Sequence, residues 1–196
     1  MSPQTAYRRE LRSRALDAAL VRLNADGWHH VTMSSIAADV GVSRPTLYAE
    51  FGNKEGLGEA LVRQETQRLL LGATAALRSR PDDAFAAMTD AASFILREAA
   101  TSAVIAALLS PEGADGSLGL AYALPAGSGV IVPEMYDGLL AWFSEQCPDT
   151  EPVRLAAAVD AIIRLVVSYV LSPGVGTPDE SAAAIARVAG SLLPEL

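Results

Sequence analysis

The chain has 196 residues, 51% of them apolar and 19% charged, enough to bury a core and outside the composition of a disordered protein. Its net charge of −8 is segregated: residues 1–64 carry eight Lys/Arg against seven Asp/Glu, and residues 65–196 carry seven against sixteen. A lone cysteine, Cys147, excludes an intramolecular disulfide. It fits a reducing cytosol, and a cytoplasmic location is expected because no secretory segment is visible and the most apolar run, 153–171, is interrupted by Arg154, Asp160 and Arg164.

The first expected helix spans about Thr5 to Asp26, with Leu16, Ala19, Leu20 and Leu23 on one stripe and Gly27 as its terminator. Ahead of that stripe, Arg8, Arg9, Arg12 and Arg14 are opposed only by Glu10, a basic end suited to phosphate. Trp28 reads as packing and His29-His30 as a linker. Neighbouring helical residues point about 100° apart, so the pair is a poor metal chelate, and no metal site is expected.

The stretch from Thr32 to Lys54 organises the rest. Thr32 caps a helix whose Ile36, Ala37 and Val40 share one face. Gly41 sits where the helix must stop in a left-handed conformation, and Val42 plugs the turn. Ser43 caps a second helix with Pro45 in its first turn. Leu47 and Phe51 point inward, which leaves Arg44, Thr46, Tyr48 and Ala49 on the outer face. This is the helix-turn-helix arrangement, whose second helix enters the major groove of DNA.

Residues 9–63 resemble the DNA-binding domain of the TetR family of transcriptional regulators. The likeness rests on Leu16, Ala19, Leu23, Gly27, Val31-Thr32-Met33, Ile36-Ala37, Gly41-Val42-Ser43, Thr46-Leu47-Tyr48, Phe51, Lys54-Glu55 and Leu57. It covers about the first third of the chain. It implies that Lys54 meets a DNA phosphate and that Pro45 touches a thymine methyl. It also implies a four-helix dimer interface built from the last two helices of each subunit. Gly56 and Gly58 depart from the family's bulkier residues, and they read either as softness in a connecting helix or as close packing against helix 1.

Beyond the motif, a helix from Lys54 to about Leu77 is followed by a boundary at Arg78-Ser79-Arg80-Pro81. Pro81-Asp82-Asp83 suits the first turn of the next helix, and 99–109 continues as a further one. Residues 110–134 hold five glycines and three prolines and read as a flap beside a pocket. Helices are then expected over 135–146, 152–171 and, after the capping box Thr177-Pro178-Asp179-Glu180, to about Leu193. The near-continuous apolar character of 153–171 exceeds what one buried face needs, which points to a dimer.

The expected architecture is therefore all-α: a three-helix DNA-binding domain over 1–55 and a helical sensing and dimerisation domain over 56–196. The expected function is a homodimeric regulator, in the first instance a repressor, bound to a palindromic duplex operator and released by a small-molecule effector. Arg44, Pro45 and Thr46 are the candidate base contacts; Thr32, Ser34, Ser35, Ser43, Tyr48 and Lys54 are the candidates for backbone phosphates, with Arg8, Arg9 and Arg12 reaching DNA from a flexible N-terminal arm. Phe85, Met88, Phe94, Tyr122, Met135, Leu139, Trp142 and Phe143 are the candidate pocket residues. No cofactor and no enzyme activity are expected, since the chain has no GxSxG, HExxH or Walker motif. A helical adaptor or ligand-binding protein that has lost specific DNA binding is the alternative.

Overall fold

A computed structural model describes residues 2–109 and 131–193. Among these residues the secondary structure is nine α-helices and one 3-10 turn, with no strand. The helices are α1 (Pro3–Asp26), α2 (Met33–Val40), α3 (Arg44–Phe51), α4 (Lys54–Arg78), α5 (Ala84–Thr101), α6 (Ala103–Leu109), α7 (Ile131–Gln146), α8 (Pro152–Leu171) and α9 (Pro178–Leu192). The 3-10 turn, Trp28–His30, lies between α1 and α2. No helix among the described residues is long and apolar enough to cross a membrane.

The chain forms two compact units. The first runs from the N-terminus to Glu65 and takes in α6; the second takes in Thr66–Thr101 and α7 to α9. The helix α4 contributes residues to both. In the first unit α1 packs on α2, on the 3-10 turn and on α6, while α2 packs on α3. Its core is the α1 stripe Leu11, Ala15, Leu16, Ala19 and Leu23, closed by Ile36, Ala37, Leu47, Phe51 and Leu57, all buried. Alanines along α1 and α2 let the helix backbones approach, which is how α1 and two short helices exclude water here.

In the second unit α5 packs extensively on α9, α7 on α8, and α8 on both α5 and α9. Met88, Leu96, Phe143, Val159, Ile162, Ile163 and Ile185 fill its centre. Small residues again set the distance: Ala182, Ala186 and Ala189 of α9 are fully buried. The Thr177–Glu180 capping box forms as its sequence implies. The Thr177 hydroxyl accepts the Glu180 N–H at 3.2 Å, and the Glu180 carboxylate accepts the Thr177 N–H at 2.7 Å. Asp179, in the first turn of α9, accepts hydrogen bonds from Arg97 (2.6 Å) and Ser93 of α5, tying the two helices at one end.

Four expectations need correction. Pro81 and Asp82 lie ahead of α5 rather than in its first turn, because Asp83 is the capping residue and accepts the Ala86 N–H at 2.9 Å. The helix expected over 99–109 is broken at Ser102, whose hydroxyl accepts the Ile105 N–H and starts α6 afresh. Helix α7 begins at Ile131, so the expected loop loses its last residues to a helix; the remainder, 110–130 with its flap and Tyr122, lies outside the described residues. There is also no flexible arm carrying Arg8, Arg9 and Arg12. Ser2 caps α1 through the Thr5 N–H, and all three arginines stand on that helix.

Candidate nucleic-acid interface and ligand cavity

The α2–turn–α3 segment is fixed by hydrogen bonds that its own residues supply. The Thr32 hydroxyl accepts the Ser35 N–H at 3.1 Å, and the Ser35 hydroxyl accepts the Thr32 N–H at 3.2 Å, a closed capping box on α2. Gly41 takes φ +71° and ψ +36°, and the Val42 N–H donates to the Ala37 carbonyl at 3.0 Å, so the helix ends in a left-handed cap that only glycine adopts without cost. The Ser43 hydroxyl then accepts the Thr46 N–H at 3.3 Å and pairs with the Thr46 hydroxyl at 2.8 Å. Each such cap is worth about 1 kcal/mol. Two adjacent caps hold the turn between the helices.

The same geometry sorts the side chains of α3. Leu47 is fully buried and Phe51 nearly so, while Arg44, Pro45, Tyr48 and Ala49 are exposed. Thr46, Ser34 and Ser35 are half-buried, Thr32 and Ser43 exposed. The hydroxyls of Thr32, Ser35, Ser43 and Thr46 are engaged in the caps, so a partner meets a rim of capped helix ends rather than free hydroxyls. Lys54, at the start of α4, lies 5.2 Å from the Trp28 ring centroid and donates to the His29 carbonyl at 3.3 Å. Trp28 is thus half-buried under a cation, and His30 is bonded to the Asp26 carbonyl through Nδ1. Among the described residues no group of three His, Cys, Asp or Glu could hold a metal ion.

A charged clamp joins α1 to α3. Glu50, whose side chain is only 10% exposed, accepts from Arg8 Nε at 3.0 Å and from Arg12 Nη1 at 3.2 Å. Arg12 also lies over the Phe51 ring, 5.0 Å from its centroid. Arg14 donates to the Val40 carbonyl at 2.7 Å, and Arg22 pairs with Asp39 through two hydrogen bonds, one of them at 2.8 Å. The Arg22 hydrogen bonds hold the Asp39 carboxyl below the usual carboxylate range, against the opposing effect of desolvation. Sequence reasoning missed Glu50. The signal was there, in Arg8 and Arg12 one turn apart on α1, but their partner lies 38 residues beyond the nearer one.

Asn53 caps α4, its side-chain oxygen accepting the Gly56 N–H at 2.8 Å. At Gly56 a Cβ would stand 2.1 Å from the Phe51 carbonyl oxygen. The glycine is therefore demanded by the close approach of the α3 end, not by helix 1, and it is not a soft point in α4.

In the second unit α4, α5, α7 and α8 line a cavity of about 250 Å³ that is partly open to solvent. Of the candidate pocket residues, Met88, Met135, Leu139 and Trp142 line it. Phe143 is fully buried in the adjoining core, edge-on to Trp142 with ring centroids 4.9 Å apart. Phe94 lies instead against Gly72, and Phe85 is 41% exposed beside Gly190 of α9. The walls also include Ala91, Ala92, Ile162 and Val166, small or branched residues.

Comparison with known proteins fits both units. Residues 15–61 match the family described as bacterial regulatory proteins of the tetR family, and residues 83–191 match the bacterial tetracyclin repressor C-terminal domain. The HTH-type transcriptional regulator AlkX of Mycobacterium tuberculosis is 28% identical over 168 residues, covering 86% of this chain and 78% of that protein. The crystal structure of the TetR family repressor AlkX from a Dietzia strain, implicated in biodegradation of n-alkanes, superposes with a TM-score of 0.74 at 26% identity, covering 93% of this chain and 95% of that one. A TetR-family regulator from Pectobacterium atrosepticum shares the fold at a TM-score of 0.68 and 17% identity, over 96% of this chain and 94% of its own. With a capped helix-turn-helix at one end and the repressor-type helical domain over more than half its length, the chain belongs to the TetR family of transcriptional regulators.

Proposed function

We propose that the chain is a repressor that binds a palindromic duplex operator as a homodimer and is released by a small-molecule effector held in the α4–α5–α7–α8 cavity. The observation that carries the DNA half is the state of the arginines in the first unit. Arg8, Arg12 and Arg22 are paired with carboxylates and Arg14 with a carbonyl, whereas Arg44 is exposed with no carboxylate partner among the described residues; Arg9 and Arg63 share that state, but Arg44 alone of the three stands on α3, at its start. An arginine so placed can bridge O6 and N7 of guanine. Thr46, its hydroxyl held by Ser43, offers its methyl to a thymine, and Pro45 stands beside it. Tyr48, Ser34 and Lys54 set register on the phosphates, together with the capped helix ends at Thr32, Ser35 and Ser43.

The repressor reading draws support from the Dietzia AlkX, described as a repressor. Dimerisation through α8 and α9 is supported by apolar residues left in solvent on them: Val153 and Leu171 on α8 and Val188 on α9. Residues 1–55 hold the interface and 56–196 the sensing and dimerising part, with α4 common to both. Leu70, Ala73 and Leu77 of α4 line the cavity, while the same helix begins at the end of α3. An effector that favours one placement of α4 by about 1–3 kcal/mol changes operator affinity roughly 5- to 150-fold.

Fluorescence anisotropy on a bound duplex and its single-base variants tests the division of roles. Arg44→Ala should relax preference at one base position per half-site, at about 1–3 kcal/mol, while Tyr48→Phe should weaken binding across all sequences alike. Uniform losses from both substitutions would overturn the assignment of Arg44 to base reading.

A further inference from the structure

We infer that the ligand of the cavity is an uncharged, predominantly hydrocarbon molecule of about ten carbon atoms. The inference rests on the cavity being the effector site and adds to it the chemistry of the occupant.

Size comes first. An apolar cavity of about 150 Å³ takes up benzene, so 250 Å³ has room for about ten carbons. Chemistry follows from the walls. The buried lining includes Met88, Ala91, Ala92, Trp142, Ile162 and Val166, and no buried residue of the lining is ionisable. Thr74, Arg78 and Glu145 are the hydroxyl and charged side chains of the lining, and all three are exposed, which places them at the rim; the buried Trp142 adds a single indole N–H donor. Thr74 already donates its hydroxyl proton to the Leu70 carbonyl at 2.8 Å. The one buried side-chain polar atom without a partner among the described residues, the Thr150 hydroxyl, is not part of the lining.

A polar group carried into this interior would therefore lose its water and find, among the buried side chains of the lining that are described, one indole N–H and no acceptor stronger than a thioether, which is costly for a neutral group and more so for an ion. At the rim one cation and one anion, Arg78 and Glu145, leave no net charge to select a charged head group. Size limits the occupant to a compact molecule, and desolvation favours the neutral one over either ionised congener.

The test uses the full chain without DNA and three ten-carbon probes of one frame: butylbenzene, phenylbutanoate and phenylbutylammonium. Binding is read from the fluorescence of Trp142, in a Trp28→Phe background that leaves one indole, and from the rise in melting temperature. Butylbenzene should bind at least about tenfold tighter than either charged probe. Ala91→Met should abolish that binding by filling the cavity, and the milder Ala92→Val should weaken it if the first variant does not fold.

Equal or tighter binding of a charged probe, no binding of butylbenzene, or binding that survives in a folded filled variant would each overturn the inference. The effector reading is judged separately, on the wild-type chain bound to duplex. Butylbenzene that binds as described yet leaves the complex intact refutes release and leaves the ligand class standing. Release by phenylbutanoate or phenylbutylammonium alone does the reverse.

Discussion

Gly56 and Gly138 are both helical glycines, and replacing each with alanine should move stability in opposite directions. Alanine ordinarily stabilises an exposed helix interior by about 1 kcal/mol relative to glycine. At Gly138 of α7 a Cβ meets no atom within 4 Å, so that gain should appear whole. At Gly56 the Cβ would lie 2.1 Å from the Phe51 carbonyl oxygen and 3.2 Å from its carbon. The obstacle is backbone and cannot rotate away, so α3 and α4 must separate by about 1 Å, at the upper end of the roughly 1–3 kcal/mol that overpacking costs. Against the helical gain, the net loss is about 2 kcal/mol. For a chain of this size that is a fall in melting temperature of roughly 4–8 °C, against a rise of about 2–4 °C for Gly138→Ala. Calorimetry on the two variants reads both. Operator affinity measured well below the transition should fall for Gly56→Ala as well, because Phe51 ends α3. A melting temperature that rises equally in both variants would refute the close-approach argument.

Two further outcomes follow from the ion pairs. Glu50→Gln removes the charge that holds Arg8 and Arg12, so stability should fall by about 1 kcal/mol in denaturant titration. Binding to non-specific duplex should tighten and its salt dependence steepen, by about 0.9 in logarithmic slope for each guanidinium that moves to a phosphate; an unchanged slope would mean neither arginine reaches DNA. Asp179 has its carboxyl held below the ordinary value of 3.8, first by the Arg97 hydrogen bond and then by that of Ser93. Its contribution is therefore fully present above that value and lost as pH falls through the lower, folded-state value. Melting temperatures followed from neutral pH down through this range should fall further for the wild type than for Asp179→Asn, and parallel curves would contradict the pairing.

What was legible in the sequence is what neighbours in the chain decide. The caps at Thr32, Ser43 and Thr177, the left-handed turn at Gly41 and the inward pair Leu47 and Phe51 depend on residues within five positions of one another, and all form. The Ser102 break was not legible, because an alanine-rich run reads as continuous helix. The Glu50 clamp, the Phe51 carbonyl over Gly56 and the Phe94 ring over Gly72 join different helices. Periodicity names a face but not its neighbour, which is also why Phe85, Phe94 and Phe143 could not be told from Met88 and Trp142 as cavity walls.

The central claim is that this chain reads a two-fold DNA site with the outer face of α3. Selection of bound sequences from a random duplex pool, followed by affinity against salt for the winner, tests it most directly. The account predicts a palindromic winner with half-sites about one helical turn apart, or a multiple of it, and a steep loss of affinity with salt. Absence of any enriched sequence at low salt, with the chain shown to be free of bound ligand by mass spectrometry, would contradict it.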